Sequence, residues 1–300
     1  MNIYDCVVVG CGPAGVTASV YLKRANLNCL IIEKDAPGGQ VVKSSIIENY
    51  PGFTSISGPD LASNFYKQIK TLNIPYKYGE VKKIEDKKNY KVLKLENEEI
   101  KTKAVILALG RCPKKLNEES ERLLGKGVSY CSLCDGALYK NEDVAIIGGG
   151  NSALEEAIYL SSICKSVSIL NRSDSLKGDK LLIDKVNNTK NIKVYLNTDV
   201  TKFNKNGDIL NSLELIIDNK KDTIFVKACF IFIGYEPATN FLKELDILDE
   251  KGYIEVDDKF ETKVYNIFAC GDVVKKSAYQ IATAVGDGAL CATSVVKKLS

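Results

Sequence analysis

Asp5-Cys6-Val7-Val8-Val9 runs straight into Gly10-Cys11-Gly12-Pro13-Ala14-Gly15. A short continuous apolar run suits a strand buried on both faces, as in a parallel sheet. Gly10 permits a tight turn, Gly12 lets the backbone approach a pyrophosphate, and Gly15 lets the next helix pack close to the strand. Val16, Ala18, Val20, Tyr21 and Leu22 supply the helical pattern, and the helix N-terminus offers free N–H groups and partial positive charge to phosphates. A second strand, Asn28-Cys29-Leu30-Ile31-Ile32, ends at Glu33, 18 residues after Gly15. There an acid accepts hydrogen bonds from a ribose hydroxyl pair. Gly-x-Gly-x-x-Gly alone is a weak signal; strand, turn, helix, strand and terminal acid in order predict a dinucleotide site.

Downstream, Pro37-Gly38-Gly39-Gln40 and Glu48-Asn49-Tyr50-Pro51-Gly52-Phe53 read as loops able to bring amides near a flat ligand. Gly58-Pro59-Asp60-Leu61 opens an amphipathic helix with Asp60 as its expected cap. Strands are expected at 76–84, 90–95 and 104–109, and the charged residues 85–101 read as an exposed hairpin. A domain boundary is expected around Arg111–Gly127, where periodicity is lost.

The pattern then repeats. Asp143-Val144-Ala145-Ile146-Ile147 leads into Gly148-Gly149-Gly150-Asn151-Ser152-Ala153 and a helix through Leu154, Ala157, Ile158 and Leu160. The next strand, Ser166–Leu170, ends not in an acid but in Asn171-Arg172, where a cation suits a 2′-phosphate. Just before this second turn stands Cys131-Ser132-Leu133-Cys134-Asp135-Gly136. With ten cysteines in the chain the Cys-x-x-Cys spacing is weak by itself; its place between two nucleotide turns strengthens it. Later, Phe230-Ile231-Phe232-Ile233-Gly234 and Asn266-Ile267-Phe268-Ala269-Cys270 read as strands, the latter running into Gly271-Asp272. An aspartate just past a buried strand needs a partner, and a sugar-alcohol hydroxyl is one. A last amphipathic helix is expected from near Gln280.

Composition narrows the function classes. Three hundred residues suggest about two domains. A net charge of +3, with 37 lysines spread among 38 acids, does not argue for nucleic acid. The chain has no histidine, which excludes Ser-His-Asp and Cys-His machinery and any zinc site that needs imidazole. Acid–base work must fall to Asp, Glu, Cys, Tyr or Lys. No metal site is expected, since no second Cys pair completes four ligands. No apolar run reaches the ~18 residues of a membrane span. An apolar strand beginning by Tyr4 leaves no room for a leader, so a reducing, cytoplasmic setting is expected, with the other eight cysteines as buried packing thiols.

These landmarks together resemble the low-molecular-weight thioredoxin reductases, the class II FAD-dependent pyridine nucleotide-disulfide oxidoreductases. The resemblance rests on GCGPAG at 10–15, GGQ at 38–40, ENYPG at 48–52, CSLCDG at 131–136, GGGNSALEEA at 148–157, IGYEPAT at 233–239 and ACGD at 269–272. It implies an α/β fold of two Rossmann-like, three-layer domains, the second inserted into the first. The FAD domain would comprise 1–113 and 242–300, and the NAD(P)H domain, carrying the Cys pair, 114–241. Gly10, Gly12, Pro13, Ala14, Gly15, Glu33, Gly39, Gln40, Asn49, Gly110, Gly271, Asp272, Gln280 and Ile281 would contact FAD. Gly149, Gly150, Asn151, Ser152, Asn171, Arg172 and Lys177 would hold NADPH. Cys131 and Cys134 would form the redox disulfide, Cys134 facing the flavin and Cys131 attacking a thioredoxin, with Asp135 moving protons. Family members are homodimers whose domains rotate against each other.

Some positions depart from the family pattern. The segment that reads HRR, three residues, then R is here Asn171-Arg172-Ser173-Asp174-Ser175-Leu176-Lys177. The Arg usual before Gln280 is Tyr279, and the usual ATG turn reads Ala108-Leu109-Gly110. Loss of guanidinium contacts to a phosphate weakens NADPH binding. It leaves a ferredoxin-dependent flavin thioredoxin reductase as the alternative; a non-catalytic flavin redox sensor is a more distant one.

Overall fold

The computed structural model describes residues 3–44 and 46–300. Two compact units emerge, Met1–Cys112 with Glu236–Ser300, and Pro113–Tyr235. The second crossing lies at 235/236 and not at the expected 241/242, because residues 236–241 pack with the first unit. Ala238 N–H donates to Gly110 O at 3.4 Å, Thr239 Oγ1 donates to Gly252 O at 2.6 Å, and Phe241 joins that unit's core.

In the first unit, strands Tyr76–Tyr78, Cys29–Glu33, Tyr4–Val9, Glu99–Leu107 and Ile267–Ala269 lie parallel in that order. Val8 pairs with Ile31 on one side and Ile106 on the other. Both faces are covered, which is why the strands carry no polar alternation. Cys6, Val8, Ile31 and Ile106 face a core closed by the helices Pro13–Arg24 and Ile281–Leu299. Val7, Val9, Ile32 and Leu107 face another, with Leu242, Ile247 and Ile254.

Strands Lys83–Asp86 and Lys91–Lys94 extend this sheet antiparallel. The charged segment 85–101 is therefore not a solvated hairpin throughout. Leu93 is fully buried and Lys91 only 1% exposed, its ammonium 2.8 Å from Asp86 Oδ1. The helix Gly58–Thr71 is capped not by Asp60 but by Ser57, whose hydroxyl accepts from Asp60 N–H. The last helix begins one residue after Gln280, its N-cap.

The second unit repeats the design. Parallel strands run Ile192–Tyr195, Ser166–Leu170, Asp143–Ile147, Ala228–Ile231 and Val128–Ser129. Val144 and Ile146 pack under the helix Asn151–Ser161; Ala145 and Ile147 face residues of an antiparallel three-stranded sheet, Thr198–Asn206, Ile209–Ile217 and Lys220–Phe225. Each unit thus has the sheet and crossover helix of a dinucleotide-binding half. Among the described residues no helix is long and apolar enough to cross a membrane.

Candidate functional site

The first Gly-rich turn is tight for steric reasons. Gly10 has φ +107°, and a Cβ there would meet Ala108 O at 2.2 Å. A Cβ on Gly15 would lie 1.9 Å from Gly10 O, so the helix can approach its own turn only without a side chain. At Gly12 an added Cβ meets nothing within 4 Å; that side is open. Pro13 takes the first helical position and no side chain caps the N-terminus, leaving its N–H groups for an anion. Glu33 closes the turn. Its Oε2 accepts from Cys11 N–H at 2.7 Å and its Oε1 from Asp35 N–H at 2.9 Å.

Distant segments converge here. A Cβ on Gly39 would lie 3.3 Å from Gly12 Cα, and one on Gly271 would lie 2.7 Å from Ala14 Cβ. Asn49 Nδ2 donates to Gln280 Oε1 at 3.2 Å, beside Ile281, the first helical residue. Gly110 has φ +63° and an open Cβ direction, while Gln40 is exposed in the 3-10 turn Gly39–Lys43. Gly271 N–H donates to Asp287 Oδ2 at 3.2 Å, which sets the Gly271-Asp272 turn against the last helix.

Asp272 completes this cradle. Burial pushes its carboxyl above the usual range, with Arg111 and Lys276 opposing. Arg111 Nη2 lies 3.3 Å from Oδ2, while Oδ1 is buried with no hydrogen-bond partner among the described residues. An orphaned acceptor of this kind calls for a hydroxyl. The Arg111 guanidinium also lies over Tyr279, 3.7 Å from the ring centroid. The residues therefore fit a dinucleotide: an open glycine and uncapped helix for a pyrophosphate, and carboxylates at Glu33 and Asp272 for hydroxyls.

The second turn is built differently. Gly148 has φ +138°, with Phe232 O 2.2 Å from an added Cβ, and Gly150 is open as Gly12 is. Asn171, at the strand end, is 7% exposed and its amide donates to Ser173 O at 3.0 Å and Ser175 O at 2.9 Å. A Cβ on Gly149 would meet Asn171 Oδ1 at 2.5 Å, and Lys177 N–H donates to Gly149 O at 2.7 Å. Asn151 is occupied by Asp179, accepting from its N–H at 2.7 Å and donating to its carboxylate at 2.9 Å. The segment 171–179 is thereby wrapped onto the turn, with the Arg172 and Lys177 side chains exposed and Ser152 in the first helical turn.

Cys131 and Cys134 are joined as a disulfide. Cys131 caps the short helix Ser132–Asp135, its Sγ accepting from Cys134 N–H at 3.1 Å. Cys131 is 8% exposed, and Cys134 is the open sulfur. Gly136 lets this helix sit on Asn151–Ser161: a Cβ there would lie 2.8 Å from Leu160 Cδ2. Asp135 Oδ2 accepts from Ser129 Oγ at 2.6 Å. The other eight cysteines are free thiols, all buried except the half-buried Cys112.

Tyr279, marked in the sequence as a departure from the family pattern, is the ring on which Arg111 stacks, whereas Ser129, two residues before the Cys pair, and Arg111 itself carry no signal in the sequence. Only the hydroxyl's burial beside an acid, and the guanidinium's beside Asp272, single them out.

Residues 4–288 match the family described as pyridine nucleotide-disulphide oxidoreductase. The chain is 42% identical to a thioredoxin reductase of Ureaplasma parvum over 97% of its length and 95% of that protein's. It is 40% identical to the thioredoxin reductase of Bacillus subtilis, covering 98% and 94% of the two chains. Its structure resembles that of Lactococcus lactis thioredoxin reductase with a TM-score of 0.95, at 36% identity and 99% coverage of both chains.

Proposed function

The chain belongs to the pyridine nucleotide-disulphide oxidoreductase family, and from that premise we propose that it reduces thioredoxin, with NADPH as electron source and FAD as carrier. The observation that carries this reading is the Cys131–Cys134 disulfide closed at the head of a short helix, followed at once by Asp135. FAD, when bound, would supply two-electron redox chemistry beside this disulfide.

The chain's own residues then have defined tasks. Gly12 and the uncapped helix Pro13–Arg24 hold the pyrophosphate, Glu33 a ribose, and Asp272 a ribityl hydroxyl; Gly39, Gln40, Asn49, Gly110, Gln280 and Ile281 line the flavin cradle. Gly150, Asn151, Ser152, Arg172 and Lys177 take the nicotinamide nucleotide, and Asn171 shapes their loop.

Reduction of the disulfide consumes two electrons and two protons, breaks the S–S bond and leaves two thiols. Cys131 attacks: its Sγ already accepts a backbone N–H, an interaction that favours thiolate. Attack breaks the thioredoxin disulfide and forms a mixed one; Cys134 then displaces the thioredoxin thiolate and the internal disulfide closes. Asp135 accepts and returns the proton. Because Cys131 is only 8% exposed in the oxidised form, this corner must open for a protein substrate to reach it. The enzyme is assigned to the cytoplasm, consistent with eight free thiols, and to a homodimer, which sedimentation would check.

The test is anaerobic titration. NADPH should bleach the oxidised flavin, and Cys134→Ser should retain flavin, lose thioredoxin turnover and trap a mixed disulfide through Cys131. No bleaching by NADPH together with rapid reduction by ferredoxin would replace the donor. Undiminished turnover in Cys134→Ser would remove the disulfide from the mechanism.

A further inference from the structure

One polar group at the redox corner has no task in the chemistry above. Ser129 ends the strand Val128–Ser129 and is 8% exposed. Its Oγ lies 2.6 Å from Asp135 Oδ2, 3.0 Å from Cys131 N and 3.3 Å from Cys131 O. A hydroxyl carries one proton and two lone pairs, and here all three have an address. With Asp135 ionised, Ser129 donates to the carboxylate and accepts from the Cys131 N–H. With Asp135 protonated, the acid donates to Oγ, and the hydroxyl proton turns to the Cys131 carbonyl. Both states are fully hydrogen-bonded, so neither forces the carboxyl to move.

We propose that Ser129 is a positioning residue that holds Asp135 beside the Cys pair in both protonation states, so that the acid exchanges a proton without leaving its place. The proposal rests on Asp135 being the proton carrier of the reaction. The arrangement also ties Asp135 to the peptide that caps the helix through Cys131, so side-chain and thiol positions are set together.

Other titratable groups surround this corner. Tyr139 follows in the next turn, its hydroxyl pushed up first by burial and then by the charge of Asp135. Glu155, Glu156 and Tyr159 stand on the helix Asn151–Ser161, and Cys229 on the adjoining strand Ala228–Ile231. Tyr130 donates to Glu121 at 2.6 Å. Among the described residues, the hydrogen bond from a side chain to the Asp135 carboxylate is that of Ser129.

The experiment compares wild-type, Ser129→Ala, Ser129→Thr and Asp135→Asn holoenzymes. It measures kcat for thioredoxin against pH, and the iodoacetamide alkylation rate of Cys131 and Cys134 in the reduced enzyme. The flavin spectrum verifies folding. Asp135→Asn should remove the limb of the profile that belongs to Asp135. Ser129→Ala should keep that limb but lower kcat about tenfold along it, because the acid loses the hydroxyl that holds it in place. Ser129→Thr, which retains the hydroxyl, should keep the wild-type profile. An unchanged kcat in Ser129→Ala, with the limb lost in Asp135→Asn, overturns the role of Ser129 and leaves Asp135 standing. An unchanged profile in Asp135→Asn overturns the role of Asp135 itself. If Ser129→Ala does not fold, Ser129→Thr decides: a lowered kcat there shows that the hydroxyl is not what positions the acid.

Discussion

The two Gly-rich turns differ in how closely each helix meets its turn and in what seals the end of the second strand. In the first, a Cβ at Gly15 would stand 1.9 Å from Gly10 O; in the second, the matching position is Ala153, whose Cβ lies 3.3 Å from where a Gly148 Cβ would be. The first turn is closed by the charged Glu33, which bonds directly to Cys11 N–H. The second is closed by the neutral Asn171, which is buried and holds its own loop at Ser173 and Ser175. One is a tight cradle with a carboxylate in it. The other is a looser turn flanked by the exposed cations Arg172 and Lys177.

The largest effect should come from the third position of each turn. Gly15→Ala should destabilise the first unit by about 3 kcal/mol and release FAD, because backbone must move to admit the methyl group. Ala153→Gly should cost only about 1 kcal/mol, the helix propensity of glycine. Urea unfolding followed by circular dichroism and flavin fluorescence reads both, and equal costs would break the comparison. Next, Glu33→Ala should weaken FAD binding about ten- to a hundredfold, the worth of hydrogen bonds to a charged group, while leaving the KM for NADPH unchanged. Equilibrium dialysis of FAD and steady-state kinetics measure the two.

Asn171→Ala should do the reverse: flavin stays, and KM for NADPH rises about tenfold as Ser173 and Ser175 lose their donor. Unaltered kinetics would show that the loop is held by the Asp179 contacts alone. The smallest expected effect concerns Cys11, in the first turn only. Burial, followed by the charge of Glu33, pushes its thiol up to about 12. Thiolate is the reactive form and increases only as pH rises toward that value. Mass spectrometry after iodoacetamide at pH 8 should find Cys11 unmodified, whereas reduced Cys134 is labelled.

Much of this site was legible because its demands are local. A turn that brings backbone to a phosphate needs glycine at fixed offsets, and an acid at the end of the next strand follows from crossover length. The Cys pair drew its weight from its place between the two turns and from the family resemblance, not from its spacing. The charged segment 85–101 misled for a physical reason: the strand Lys91–Lys94 lies inside the sheet and is buried at Lys91, Val92 and Leu93 alike, with the Lys91 ammonium paired to Asp86. Asp60 misled because two acceptors, Ser57 and Asp60, competed for the cap, and the chain geometry favours the earlier one.

By itself, then, the sequence determined the two Gly-rich turns, the acid that closes the first and the Cys pair between them, since each is written in residues within about a score of one another. Tertiary structure decided the rest. Asp272 becomes a waiting acceptor only where sheet packing brings Arg111 to one of its oxygens and leaves the other alone. Arg111, just past the strand Glu99–Leu107, stacks on Tyr279, just before the helix Ile281–Leu299, because the fold brings together positions far apart in sequence. Ser129 reaches Asp135 because a strand end and a short helix fold back on each other, a closeness set by three-dimensional packing that no spacing pattern encodes.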